Sequence, residues 1–176
     1  MQTLLWREKV LGFLLDTPTA EIKVREVARK LGVSPAYVSR TLKILREEKL
    51  VKDNRVDLSS PVVRALKILW NMKKMADWRI VETMSSLNIT GAGVYGSWAS
   101  GTNCEGSDLD IWIKVRKHPG EMRIASLVGE IRKKVGADVQ MLVLTPEDVK
   151  RMKSEDPAFY FSLVFGSIPL FGEPIE

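Results

Sequence analysis

The sequence predicts an α+β chain in two parts, a helical N-terminal part closed by a short hairpin and a C-terminal part with a small mixed sheet. Three observations predict it. Apolar residues recur at helical spacing through the first sixty positions, broken by turn residues. After residue 76, short apolar strand-like runs alternate with helical patterns. The charge divides at the same place: residues 1–60 hold 12 Lys/Arg against 8 Asp/Glu, and residues 61–176 hold 15 against 14.

In the first part, Leu4, Leu5, Val10, Leu11, Leu14 and Leu15 mark a helix that Asp16-Thr17-Pro18 stops. Ile22, Val24, Val27, Ala28 and Leu31 mark a second helix, closed by Gly32. Ser34-Pro35 is a helix start, with serine as cap and proline at the first helical position. Val38, Thr41, Leu42 and Leu45 line the helix that follows. Residues 49–58 read as two short strands around an Asp53-Asn54 turn. Residues 61–75 start with a first-turn proline and form a connecting helix, its apolar stripe Val62, Leu66, Leu69, Trp70 and Met75. That stripe suits a second copy of the chain in a homodimer or a junction between domains.

The second part reads helix 77–87, strand 92–95, a Gly-Ser turn with a short helix 97–102, strand 108–115, helix 121–135, strand 138–144, and helices 146–152 and 156–165. Asp108 and Asp110 stand two apart on a strand and so project from one face, with Leu109 and Ile111 on the other. Two carboxylates held that close repel unless a cation lies between them. All-oxygen ligands suit Mg²⁺ or Mn²⁺, ions that accompany phosphates. Gly96-Ser97 offers a backbone that can approach a phosphate, a hydroxyl, and free N–H groups where a helix begins. Together these residues describe a site for a nucleoside triphosphate and its metal.

A rival motif overlaps this one, since Gly91-Ala92-Gly93-Val94-Tyr95-Gly96 is a literal G-x-G-x-x-G. The dinucleotide reading needs a strand before the first glycine and a helix after the second. Here a helical pattern precedes and Val94-Tyr95 favour a strand. One cysteine, Cys104, excludes an intrachain disulfide, and with the lone histidine, His118, it excludes a Cys/His zinc site. No run of 18 uncharged apolar residues exists and the N-terminus lacks the order of a signal peptide, so the expected location is cytoplasmic, away from membranes.

Tyr95-Gly96-Ser97, ten residues, then Asp108-Leu109-Asp110-Ile111 resembles the signature of the DNA polymerase beta-like nucleotidyltransferase superfamily, in its minimal form. Gly101, Thr102 and Ser107 fit the same pattern. The resemblance covers residues 76–176 and implies a nucleotidyltransferase fold. It implies catalytic and metal-binding roles for Asp108, Asp110 and Asp138, the last heading the run Val139 to Leu144. Gly96, Ser97, Gly101 and Ser107 would bind the nucleotide, with two Mg²⁺ ions as cofactor and Mn²⁺ as an alternative. Asp138 would complete the second ion and help deprotonate the acceptor hydroxyl. Relatives often carry an arginine where Ser100 stands.

Residues 1–60 resemble a winged helix-turn-helix, carried by Val27 to Leu42 and the hairpin after it. The second helix of such a pair enters the DNA major groove. Ser34, Tyr37, Ser39, Arg40 and Lys43 would face it, with Arg40 reading a base and Lys43, Arg46, Lys52 and Arg55 meeting phosphates. Two functions follow. One is an Mg-dependent enzyme moving a nucleoside monophosphate from an NTP to a hydroxyl of a small molecule, a nucleic-acid end or a protein. The other is a DNA-binding regulator, or an antitoxin-like protein, whose nucleotidyltransferase fold senses nucleotide or modifies a partner protein. The domains expected are 1–60, a connecting helix 61–75, and 76–176.

Overall fold

The computed structural model describes residues 2–85 and 87–176, and for residues 2–8 the backbone alone. It divides into two compact units, Met1–Trp70 and Asn71–Glu176. In the first, helices α1 (Gln2–Asp16), α2 (Val24–Leu31) and α3 (Pro35–Glu47) precede a two-stranded hairpin, β1 (Val51–Lys52) and β2 (Arg55–Val56). Leu4 and Leu5, expected on the first helix's apolar face, have side chains outside the described residues. Ser34 caps α3 by accepting from the Tyr37 N–H, and Pro35 follows at the first helical position, as the sequence predicts. Asp53 and Asn54 both take positive φ, the conformation of a tight hairpin turn that matches strand twist. The Ile22 N–H donates to Asn54 O at 2.8 Å and ties the hairpin to the segment before α2. Val10, Leu14, Val27, Ala28, Val38, Leu42 and Leu45 form the core. These elements make a winged helix-turn-helix.

Helix α4 (Pro61–Asp77) runs two residues beyond the expected connecting helix. Its buried row is Val63, Lys67, Asn71 and Met75, while Val62 and Leu69 of the expected stripe are exposed. Hydropathy passes over this row because two of its members are polar. Lys67 Nζ donates to the Leu15 carbonyl near the end of α1, where the helix's negative pole favours a cation. Trp70 Nε1 donates to Asp16 Oδ1 at 3.0 Å.

The second unit continues with α5 (Ile80–Met84), β3 (Ile89–Tyr95), α6 (Gly96–Ser100), β4 (Leu109–Val115), α7 (Glu121–Val135), β5 (Val139–Leu144), α8 (Pro146–Glu155), α9 (Pro157–Gly166) and β6 (Ile168–Gly172). The strands form a mixed sheet in the order β5-β4-β3-β6, with only β4 and β5 parallel. Strand β6 was not among the expected elements, because Pro169 speaks against a strand. An edge tolerates proline, and β6 is an edge strand on β3.

One sheet face buries Ala92, Val94, Leu109, Ile111 and Ile113 against Ile124, Leu127 and Ile131 of α7. The other carries Trp112, packed with Leu144, Tyr160 and Leu163. Trp112 lies over Gly93, where a Cβ would stand 2.6 Å from the indole ring. That packing, and the location of Gly91 and Gly93 within β3, accounts for the spaced glycines without a dinucleotide loop.

Candidate functional site

Strands β3, β4 and β5 bring three residues into register on the Trp112 face: Tyr95 pairs with Asp110, and Asp110 pairs with Gln140. Asp108 precedes β4 on the same side, and its Oδ2 accepts a 2.8 Å hydrogen bond from Gln140 Nε2. Burial first, and the neighbouring Asp108 carboxylate second, hold the Asp110 carboxyl above the ordinary aspartate range. Burial and then the Asp110 charge push the Tyr95 hydroxyl up as well. In both shifts burial comes first, and the smaller part is repulsion between neighbouring negative groups, which a cation would relieve.

Gly96 begins α6 with φ +65°, a left-handed conformation that suits glycine. A Cβ at this position would overlap Asp110 Oδ2 and stand 3.2 Å from its Cγ. The missing side chain therefore seats the Asp110 carboxylate directly on the turn. Because α6 begins here, its first N–H groups have no partner inside the helix. Ser97 is half-buried beside them. Its carbonyl accepts from the Thr102 and Asn103 N–H groups at 3.0 and 3.2 Å, folding the chain back after α6.

Asn71 and Asn103, which the sequence reading did not single out, hold this loop. Asn71 on α4 is fully buried, and its Nδ2 donates to Trp98 O at 2.9 Å and to Asn103 Oδ1 at 2.8 Å. Gly101, expected to touch nucleotide, is the left-handed cap that ends α6. Ser107, expected in the same role, uses its Oγ to accept from the Cys104 N–H at 3.0 Å, shaping the approach to Asp108. Ser100, at the expected arginine position, shares a hydrogen bond with Thr102 at 2.9 Å.

Asp138 lies next to Asp108 along the paired strands, its carbonyl accepting from the Leu109 N–H at 2.8 Å, but its carboxylate has a different partner. It precedes β5, it is exposed, and its Oδ1 pairs with Arg132 Nη2 of α7 at 2.6 Å. The β5 residue that reaches the pair is Gln140. Among the described residues no group of three His, Cys, Asp or Glu side chains is placed to hold a metal ion. The donor set, two carboxylates seated against a glycine turn, fits one oxygen-loving divalent cation. The third carboxylate expected, that of Asp138, is paired with Arg132.

On the N-terminal unit, Ser34, Ser39, Arg40, Lys43, Lys52 and Arg55 are exposed, and Tyr37 is half-buried. The Ser34 hydroxyl oxygen serves the helix cap. Arg46 Nη2 donates to Asn54 Oδ1 at 2.8 Å and links α3 to the hairpin. No described helix is long and apolar enough to cross a membrane.

Residues 7–53 match the model of the arsR family of bacterial regulatory proteins. Several solved structures are similar to part of this chain. One, a toxin-antitoxin with AMP-PNP, shares 17% identity at TM-score 0.44, over 58% of this chain and 74% of that one. The Shewanella oneidensis complex of tri-AMPylated HEPN toxin with MNT antitoxin shares 14% at TM-score 0.39, over 60% and 73%. A Sulfolobus solfataricus protein provisionally assigned as a nucleotidyltransferase shares 19% at TM-score 0.39, over 66% and 94%. Likeness at these levels carries no functional argument. No curated protein matches the chain. Residues 79–172, more than half of the chain, match the model of polymerase beta nucleotidyltransferases. The protein belongs to that nucleotidyltransferase family.

Proposed function

We propose that this protein binds a nucleoside triphosphate with Mg²⁺ or Mn²⁺ at Asp108 and Asp110 and moves its nucleoside monophosphate group to a hydroxyl acceptor. The observation that carries this reading is the Asp110 carboxylate seated on Gly96 at the start of α6, with Asp108 beside it. A cation bound there would screen the carboxylates from the triphosphate and offset charge on the departing pyrophosphate. The chain's own residues position the reactants. The first N–H groups of α6 and the Ser97 hydroxyl receive phosphate oxygens. Asn71 fixes the loop that carries them. The acceptor oxygen bonds to the α-phosphorus as the bond from that phosphorus to the bridging oxygen breaks. Pyrophosphate leaves, and the hydroxyl proton passes to water.

The winged helix-turn-helix supports a second part of the proposal, that the protein binds duplex DNA through α3 and the hairpin. Arg40, Lys43, Lys52 and Arg55 offer the cationic surface. The alternative, a regulator that binds nucleotide without turning it over, is favoured by one observation. Asp138, the expected base, is engaged by Arg132 instead.

The test is calorimetry of the full chain with each NTP, with and without Mg²⁺, followed by incubation with α-labelled NTP and cell lysate. Binding should require the cation, and Asp108→Asn with Asp110→Asn should abolish it. Equal affinity in the double variant would remove the metal-site assignment. Binding without any labelled product would favour the regulator.

A further inference from the structure

We infer that this site holds one divalent cation rather than two, and that Gln140 sets that number. The inference rests on the reading of Asp108 and Asp110 as the metal-nucleotide site. Position 140 is the β5 neighbour of Asp110 in the parallel β4–β5 register, and so lies on the same face. It is the place from which β5 can deliver a ligand to the carboxylate pair, and its side chain already reaches Asp108 at 2.8 Å.

The residue there is a neutral amide. Two carboxylates balance one divalent charge. A second ion close to the first is repelled by it, and beside the triphosphate's own negative oxygens it needs a further anionic ligand from the protein. An amide oxygen is an acceptable neutral ligand for such ions but adds no charge. In the arrangement observed, the amide turns its nitrogen to the site and occupies an Asp108 oxygen as a donor. That contact orients Asp108 and draws on a lone pair that a second ion would use. The nearest further carboxylate, that of Asp138 just before β5, pairs with Arg132 at 2.6 Å. Gln140 is therefore a positioning residue for Asp108 whose lack of charge limits the site to one ion.

Electron paramagnetic resonance reads free Mn²⁺, and the ions bound per chain follow by difference from the same titration without protein. The full chain would be titrated with Mn²⁺ in the presence of saturating α,β-methylene-ATP, which cannot transfer its nucleotide. The wild-type protein should take up one Mn²⁺ per chain. Gln140→Asp, which places a third carboxylate at an exposed strand position, should take up two. Gln140→Ala should remain at one, because it removes the contact without adding charge. Two Mn²⁺ ions in the wild type, or one in Gln140→Asp with its circular dichroism and melting unchanged, would overturn the inference and leave the nucleotide site standing. Two ions in Gln140→Ala would show that the hydrogen bond, not charge, set the count, and would overturn it equally. If the wild type retains neither Mn²⁺ nor the analogue, the Asp108–Asp110 reading itself falls, and the inference with it.

Discussion

Gly96→Ala separates two effects that the structure places at one residue. Alanine at a left-handed position costs about 1–2 kcal/mol. For a chain of this length that corresponds to a melting shift of roughly 2–8 °C. Gly136, which ends α7, has φ +71° and nothing within 4 Å of an added Cβ, so Gly136→Ala reports the backbone cost alone. At position 96 the Cβ also overlaps Asp110 Oδ2. To regain van der Waals distance the carboxylate must retreat by about 1 Å, whereas metal ligands tolerate only about 0.2 Å. A misplacement of that size costs on the order of a hundredfold where geometry is exacting. The assay is thermal melting of wild type, Gly96→Ala and Gly136→Ala, each with and without Mg²⁺ and a non-hydrolysable NTP. Both variants should melt lower without ligand. Only Gly96→Ala should lose most of its ligand-induced rise, because that rise follows affinity. If Gly96→Ala keeps the wild-type rise, the Asp110 carboxylate is not seated on this turn when it works, and the site geometry argued above is wrong.

Two further outcomes are expected. Asp110 has a folded pKa above its unfolded value, so its contribution to stability is present below the unfolded value and is lost as pH rises through the folded one. Asp110→Asn should therefore raise the melting temperature of the metal-free protein at neutral pH. In the wild type, metal-nucleotide binding by calorimetry should fade on acidification while pH is still above the ordinary aspartate range. A metal-free Asp110→Asn that melts no higher would show that ionised Asp110 carries no cost. For the N-terminal unit, gel shifts on randomised duplexes should show binding that weakens steeply with salt, since neutralised phosphates release counterions. Arg40→Ala should relax preference at one base position by about 1–3 kcal/mol, and Lys52→Ala should weaken all sequences alike. No retention of any duplex at low salt would make the unit a protein-contact module.

Much of the fold was legible because its signals are local. The Ser34-Pro35 helix start, the Asp53-Asn54 turn and the span of α7 each depend on residues adjacent in sequence. Strand β6 was not legible, because a proline within a short run contradicts a strand unless the run lies at an edge, and edges are assigned by the sheet. The buried row of α4 was missed for a related reason. Lys67 and Asn71 read as polar, and only their partners, the Leu15 carbonyl and the α6 loop, make their burial affordable.

By itself the sequence determined the family, the two-part α+β architecture, and the placing of Asp108 and Asp110 on one side of a strand that follows the Gly96-Ser97 turn. These rest on residue type, fixed spacing and the two-residue alternation of a strand, none of which needs a long-range contact. It also put Asp138 and Gln140 on one face of the same strand. Which of the two reaches the carboxylate pair depends on the β4–β5 register and on an arginine from a different helix. The register sets Gln140 beside Asp110, and the Asp138 carboxylate pairs with Arg132. Only the tertiary structure could decide that, because pairing between strands and the choice among competing charged partners are settled by the packed chain.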